Sequence, residues 1–379
     1  MSLHHFAAIV TLVSATAGCT SSSPLPTTTQ APPPATLTPS RTPSSSMATL
    51  QARWAIEELS GTYTPSPQPT PHVSSLPSGE YIVFSAEQPT GARTRTLYAL
   101  PLDQGQAIKW LSDTICEVAI SPDGNSLAYF TSDERANWAS LTASPSYLGV
   151  IDLATGQVRQ SPPGHWTADF DWSPDGSKII MAQAAATSTP PAEIVALDPA
   201  AELVAIDPED WRVTLLIDCA GLTSPISHSS CFDVASSPQG AWIGYFLSLE
   251  DSTDPRQGGY LMPADCLAAP ETCLTSSRGP FPIEWPKAWS PDGRYIATTC
   301  RSAGPGICIY DSANMEQVRT VPHTDELESI QHLAWSRDGT KLVYTASNYM
   351  EVIDATSGRS IREIWHDGHV QVKFWLRIQ

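Results

Sequence analysis

The sequence predicts an all-β fold, a six-bladed β-propeller of four-stranded antiparallel blades. Three observations predict it. The pentapeptide "WSPDG" occurs at Trp172–Gly176 and again at Trp289–Gly293. Degenerate copies begin at Ile120, Ser236 and Trp335, with a weaker one at Ser75, which makes six units about 45–64 residues apart. A short apolar run follows every copy, as in "LAYF", "IIMA", "WIGYF" and "LVYT", and such runs bounded by turn residues suit strands buried on both faces.

Each unit reads the same way along the chain. Ser, Pro, Asp and Gly in succession suit a type I turn, because Pro presets φ and Gly accepts a positive φ. Such a turn joins two antiparallel strands, the inner and second strands of a blade. A third strand ends in Asp in "YLGVIDLATG", "ICIYDSAN" and "MEVIDATSG". A fourth follows in "QVRQ", "RVTLLI", "QVRTV" and "SIREIW". Four strands per repeat of this length is the pattern of a propeller blade.

On these residues the repeats resemble the WD-repeat-like "WSPDG" units of TolB-like six-bladed β-propellers, over roughly residues 73–379. The chain departs from the pattern at Ile120 and Ser236, where Trp is lost, at Gln239 in place of Asp, and at Arg337 in place of Pro.

An open array would leave exposed strand edges. The last repeat has its four strands by Trp365, yet the alternating "HVQVKFWLRIQ" remains. The first repeat has no convincing inner strand before Leu76. The C-terminal segment is therefore expected to join the first blade and close the ring. The alternative is a seventh blade from "LQARWAIEEL", a stretch that reads as more helical.

The N-terminal part has a different character. "FAAIVTLV" is too short to span a bilayer, and "SATAGC" after it resembles the lipobox of bacterial lipoproteins. That resemblance implies cleavage after residue 18 and lipid attachment at Cys19. Thr16 stands where Leu is usual, and His4 and His5 replace the usual basic residues. An ordinary secretory signal is the competing reading. Residues 19–48 are Ser/Thr/Pro-rich with one charged side chain, Arg41, and form a disordered tether. Residues 49–72 read as an irregular lead-in with a possible short helix, and the propeller occupies 73–379.

The net charge is −18, which repels a phosphate backbone and argues against nucleic acid as a partner. An exported chain meets oxidising conditions, and six cysteines fall into close pairs: Cys300 with Cys308, Cys266 with Cys273, and Cys219 with Cys231. The first pair staples a hairpin, the second flanks another hairpin-like connection, and the third links neighbouring blades. Cys116 is left over as a buried free thiol. No CxxC occurs, and no zinc spacing is present.

No GxSxG, HExxH or phosphate-loop signature is present. Four residues before the turn serine, the inner strands carry Glu117, Asp169, Asp233 and His332. Two residues before it, Asp171 stands among alanines. These side chains form either a channel site for a ligand or a cation such as Ca²⁺, or a solvated channel wall. The repeated Trp residues are expected to pack between blades. No cofactor is implied.

The reading that follows is an exported, lipid-anchored, monomeric propeller that binds or scaffolds proteins at the cell envelope, in the periplasm or at the cell surface. A protein partner is what the resemblance implies. The connections Gln183–Ala201 and Ser248–Gly259 are the candidate binding loops. The rival is a hydrolase, lactonase or lyase with its active site or metal in the channel.

Overall fold

A computed structural model describes most of residues 72–378. Residues 1–71, the stretches 88–94, 133–145, 163–168, 184–201, 223–228, 282–286, 301–305, 323–329 and 366–369, and a few shorter positions lie outside the described residues. Cys19, the tether and most of the Gln183–Ala201 connection therefore fall outside them. Cys116 lies on a described strand, but its side chain does not belong to the described part.

The turn that marks each repeat is locked by its own side chains. Ser121 donates its hydroxyl to Asp123 Oδ1 at 2.5 Å and accepts the Ser126 N–H at 2.8 Å. Ser173 with Asp175, Ser290 with Asp292, and Ser336 with Asp338 repeat the hydroxyl–carboxylate bond at 2.5–2.7 Å. The Gly124 N–H closes the turn on the Ser121 carbonyl at 2.8 Å, with φ at 76°. Without a Cβ, Gly takes that φ at no steric cost. Where Gln239 replaces Asp, Ser237 still accepts the Trp242 N–H at 2.9 Å, so the hydroxyl half of the motif survives.

Six antiparallel blades result. The last four are separate four-stranded sheets. Blade 3 comprises Phe170–Trp172, Ile179–Gln183, Glu202–Ile206 and Val213–Asp218. Blade 4 comprises Ser229–Ser236, Trp242–Leu249, Gly258–Pro263 and Arg278–Phe281. Blade 5 comprises Lys287–Trp289, Tyr295–Thr299, Gly306–Asp311 and Gln317–Pro322. Blade 6 comprises His332–Trp335, Lys341–Thr345, Tyr349–Asp354 and Ser360–Trp365.

Blades 1 and 2 share a strand, a feature not legible in the repeat. The strand Ile108–Ile120 pairs through its first half with Arg95–Pro101 as the outer strand of blade 1. Its second half pairs with Ser126–Ser132 as the inner strand of blade 2, which continues through Ser146–Asp152 and Val158–Gln160. The short His72–Val73 pairs with Leu111 and Ser112 of the same strand.

The ring closes as expected. Val370–Ile378 pairs antiparallel with Gly79–Glu87, from Gly79 opposite Ile378 to Ala86 opposite Val370. The C-terminal strand is thus the inner strand of blade 1, the described strands make six blades, and "LQARWAIEEL" lies outside the described residues.

The core lies between blades. Ala119, Ala128, Phe130, Leu148 and Val150 of blade 2 pack on Phe170, Trp172, Ile179, Met181, Val204 and Ile206 of blade 3. Second strands are buried on both faces, as in Ile179–Gln183, which explains their continuous apolar runs.

The three expected disulfides form: Cys219–Cys231, Cys266–Cys273 and Cys300–Cys308. The connection holding Cys266 and Cys273 differs from expectation. It is a chain of 3₁₀ turns and a short helix, Ala264–Ala268, Pro270–Thr272 and Cys273–Ser276, in place of a hairpin. Pro270 opens the second turn, where its missing N–H is harmless. Replacing Cys300 and Cys308 by Ser is expected to lower stability by about 2–3 kcal/mol, from the entropy of the short loop released. Urea unfolding measures it, and an unchanged midpoint would refute it.

Candidate functional site

The inner strands carry the candidate residues, and blade order decides which of them meet. Glu117, on blade 2, is held by Lys373 of the closing strand, whose Nζ lies 2.6 Å from both carboxylate oxygens. Lys373 also donates to Gln371 Oε1 at 3.0 Å, and its side chain is 4 % exposed. The pair ties the inner strands of blades 1 and 2 together.

Asp169, Asp171 and Asp233 come together at the seam between blades 3 and 4. Asp169 accepts the N–H groups of Asp233 and of Val234, the latter at 3.0 Å. Asp171 accepts the Ser236 N–H at 2.7 Å and that of Trp172 at 2.8 Å. Asp233 sits at φ 58° beside a bulge between Phe232 and Ala235, and this turns its N–H and the next toward Asp169. His332 is apart from them, opening the inner strand of blade 6 opposite Thr345.

These five residues are thus divided among three places. Among the described residues no group of His, Cys, Asp and Glu is arranged to hold a metal ion. The oxygens that a cation would need at Asp169 and Asp171 receive backbone N–H groups.

Asp171 differs electrostatically from the turn aspartates. Burial pushes its carboxyl up to about 6, against the lowering effect of the Ser236 and Trp172 N–H groups. Asp123, Asp292 and Asp338 are held below the usual carboxylate value, first by the hydroxyls of Ser121, Ser290 and Ser336. The consequences have opposite sign. Folded Asp171 keeps a proton that the unfolded chain releases, so its contribution is fully present below about pH 4 and lost as pH rises through 6. The turn aspartates contribute above their unfolded value and lose that contribution as pH falls. Asp171→Asn is therefore expected to gain on the wild type by of order 2 kcal/mol between pH 4 and pH 7. Urea unfolding at both pH values tests this, and parallel curves would refute it.

Two further sets of residues shape the ring. Each repeat Trp is an inter-blade latch: its indole N–H donates to an alanine carbonyl on the preceding inner strand. Trp172 reaches Ala119 at 3.0 Å, Trp289 reaches Ala235 at 3.3 Å, and Trp335 reaches Ala288 at 3.1 Å. Trp375 of the closing strand does the same to Ala334 at 3.3 Å, although no "SPDG" follows it. At the rim, arginines of the outer strands donate to carbonyls of the next blade. Arg159 reaches Pro208, Arg278 reaches Ala313, Arg319 reaches Ala355 and Arg362 reaches Pro101. The recurring "QVR" and "SIR" carried that signal in the sequence.

Loop placement is asymmetric. The turns from inner to second strand and from third to outer strand share one face. They are short and locked, apart from the Cys266–Cys273 insertion. The connections from second to third strand, and from each outer strand to the next inner one, open on the opposite face. Residues 133–145 and 184–201 belong to such connections and lie outside the described residues. In the Ser248–Gly259 loop, Arg256 pairs with Asp254 at 2.7 Å and donates to the Leu222 carbonyl at 2.8 Å, anchoring the loop to the preceding connection. On the locked face a cleft of about 370 Å³ between blades 5 and 6 is lined by Ser290, Asp292, Tyr295, Trp335, Arg337 and Asp338. Both carboxylates there are engaged in their own turns.

No known family model matches the chain. No curated protein matches it in sequence. Among solved structures it is similar to TolB from Acinetobacter baumannii, with 17 % identity and a TM-score of 0.53, covering 87 % of this chain and 72 % of that one. It is also similar to a chain of the nidogen/laminin complex, with 10 % identity and a TM-score of 0.51, covering 79 % of this chain and 98 % of that one. At these identities the likeness is one of architecture: the chain is a six-bladed β-propeller with a TolB-like fold.

Proposed function

We infer that the chain is a protein-binding propeller, exported and held at the cell envelope by a lipid on Cys19. The observation that carries the binding reading is the use made of the inner-strand polar groups. Glu117, Asp169 and Asp171 are bonded to neighbouring blades, which leaves them poorly placed for acid–base or metal chemistry. The face on which the second strands end, which carries the anchored Ser248–Gly259 connection, would supply the surface for a partner. The solved structures similar in fold include TolB and a chain of the nidogen/laminin complex, which favours a protein partner by analogy only. The anchor rests on "SATAGC" and on the Pro-rich spacer after it, which would hold the ring away from the bilayer.

Capture of the full chain from membranes, with Cys19→Ser as the unanchored control, tests both parts. The wild type is expected to partition with membranes and to retain a protein partner through washing, whereas the variant becomes soluble. Membrane partitioning by Cys19→Ser would overturn the anchor. Turnover of ester, lactone or uronate-polymer probes by the purified chain would overturn the binding reading in favour of an enzyme.

A further inference from the structure

On the locked face the turns of neighbouring blades touch. A Cβ on Gly176 would lie 3.6 Å from Pro122, one on Gly240 3.6 Å from Pro174, and one on Gly339 3.7 Å from Pro291. Pro291 and Gly339 also line the cleft of about 370 Å³ between blades 5 and 6. One residue of that cleft departs from the repeat. Arg337 occupies the turn position that Pro122, Pro174, Pro238 and Pro291 hold in other blades. A proline there presets φ for the turn, so the exchange gives up a conformational advantage.

Arg337 spends its charge on nothing in the fold. Its side chain is exposed, and no described residue is bonded to it. The neighbouring cations are paired: Arg294 with Asp311 at 3.8 Å, and Lys341 with Asp338 at 3.7 Å. Asp292 commits one oxygen to its turn. Its Oδ1 accepts the Ser290 hydroxyl at 2.5 Å and the Arg294 N–H at 3.1 Å, and its Oδ2 has no partner among the described residues. The Ser290 hydroxyl holds this carboxyl below the usual value, so it is ionised at neutral pH. The walls are fixed. Trp335 is held by its indole bond to the Ala288 carbonyl, and Tyr295 has the Arg294 guanidinium over its ring at 5.0 Å. The cleft therefore combines an uncommitted guanidinium, an uncommitted carboxylate oxygen and aromatic walls.

We propose that this cleft binds a small organic zwitterion, an α-amino acid. The carboxylate of the ligand takes the planar fork of Arg337 through two parallel N–H···O bonds. Its ammonium donates to Asp292 Oδ2. Its side chain lies against Pro291, Tyr295 and Trp335. A dianion such as phosphate is disfavoured by the ionised Asp292 and Asp338, and a bare cation by Arg337. A ligand with one charge of each sign satisfies both groups. The site lies on the locked face and does not depend on the protein-binding reading.

Calorimetric titration of the full chain with phenylalanine tests it. Phenylalaninamide, which lacks the carboxylate, and N-acetylphenylalanine, which lacks the ammonium, are the controls. The wild type is expected to bind phenylalanine about tenfold or more tightly than either control. Arg337→Pro restores the residue of the other turns, and no described group accepts the Arg337 N–H that it removes. This variant is expected to keep or exceed the wild-type melting temperature and to lose about tenfold or more in affinity. If it does not fold, Arg337→Gln takes its place with the same expected loss. No heat with phenylalanine up to about 10 mM, equal affinity for the three compounds, or unchanged affinity without Arg337 would overturn the proposal.

Discussion

Removal of residues 370–379 is expected to abolish the folded state. The closing strand supplies the inner strand of blade 1 by pairing from Gly79 to Ala86. It buries Val370, Val372 and Leu376, each worth about 1.5–3 kcal/mol. It also carries Lys373 and Trp375, which hold blades 2 and 6. Their combined loss is comparable to the whole stability of an ordinary domain, about 5–15 kcal/mol, and leaves a long bare edge. Circular dichroism and thermal melting of the truncated chain test this. A cooperative transition within about 5 °C of the full-length protein would refute it. Lys373→Met isolates one part: it strands the Glu117 carboxylate and is expected to cost ~3 kcal/mol in urea unfolding.

Trp172→Ala is expected to cost about 3–5 kcal/mol. The ring is 3 % exposed and fills the gap between blades 2 and 3, and its indole satisfies the Ala119 carbonyl. Trp172→Phe keeps most of the volume and loses the bond, so its cost should be nearer 1 kcal/mol. Equal and small costs for the two variants in urea unfolding would show that the residue does not latch the blades.

The repeat was legible because its turn is a local device. Ser121, Asp123 and Gly124 bond to one another within a few residues, so the same letters must recur wherever the turn recurs. The apolar runs were legible for a related reason, since strands buried on both faces carry few polar residues. The disulfide pairs were close enough in sequence to be read from position on the blades. The helical form of the Cys266–Cys273 connection was not, because a short segment rich in Ala, Pro and Thr carries no periodicity.

The candidate site was legible as a set of residues and illegible as an arrangement. Glu117, Asp169, Asp171, Asp233 and His332 recur near one level of the repeat, which reads as a ring. For three of them the partner is far along the chain or on another blade: Lys373 for Glu117, and the backbone of blade 4 for Asp169 and Asp171. A repeat gives the position of a residue within its own blade. It carries no information about bulges such as that beside Asp233, nor about what the next blade offers.

The sequence by itself determined the number of blades, the phase of the strands beside each repeated turn, the locked turns and the need for a closing strand, because these follow from local turn chemistry and from the exclusion of apolar runs from water. The tertiary structure alone decided how the blades are held to one another. Indole bonds to alanine carbonyls, arginine clasps at the rim, and the carboxylate bonds at one seam all join groups that meet only when the ring is closed.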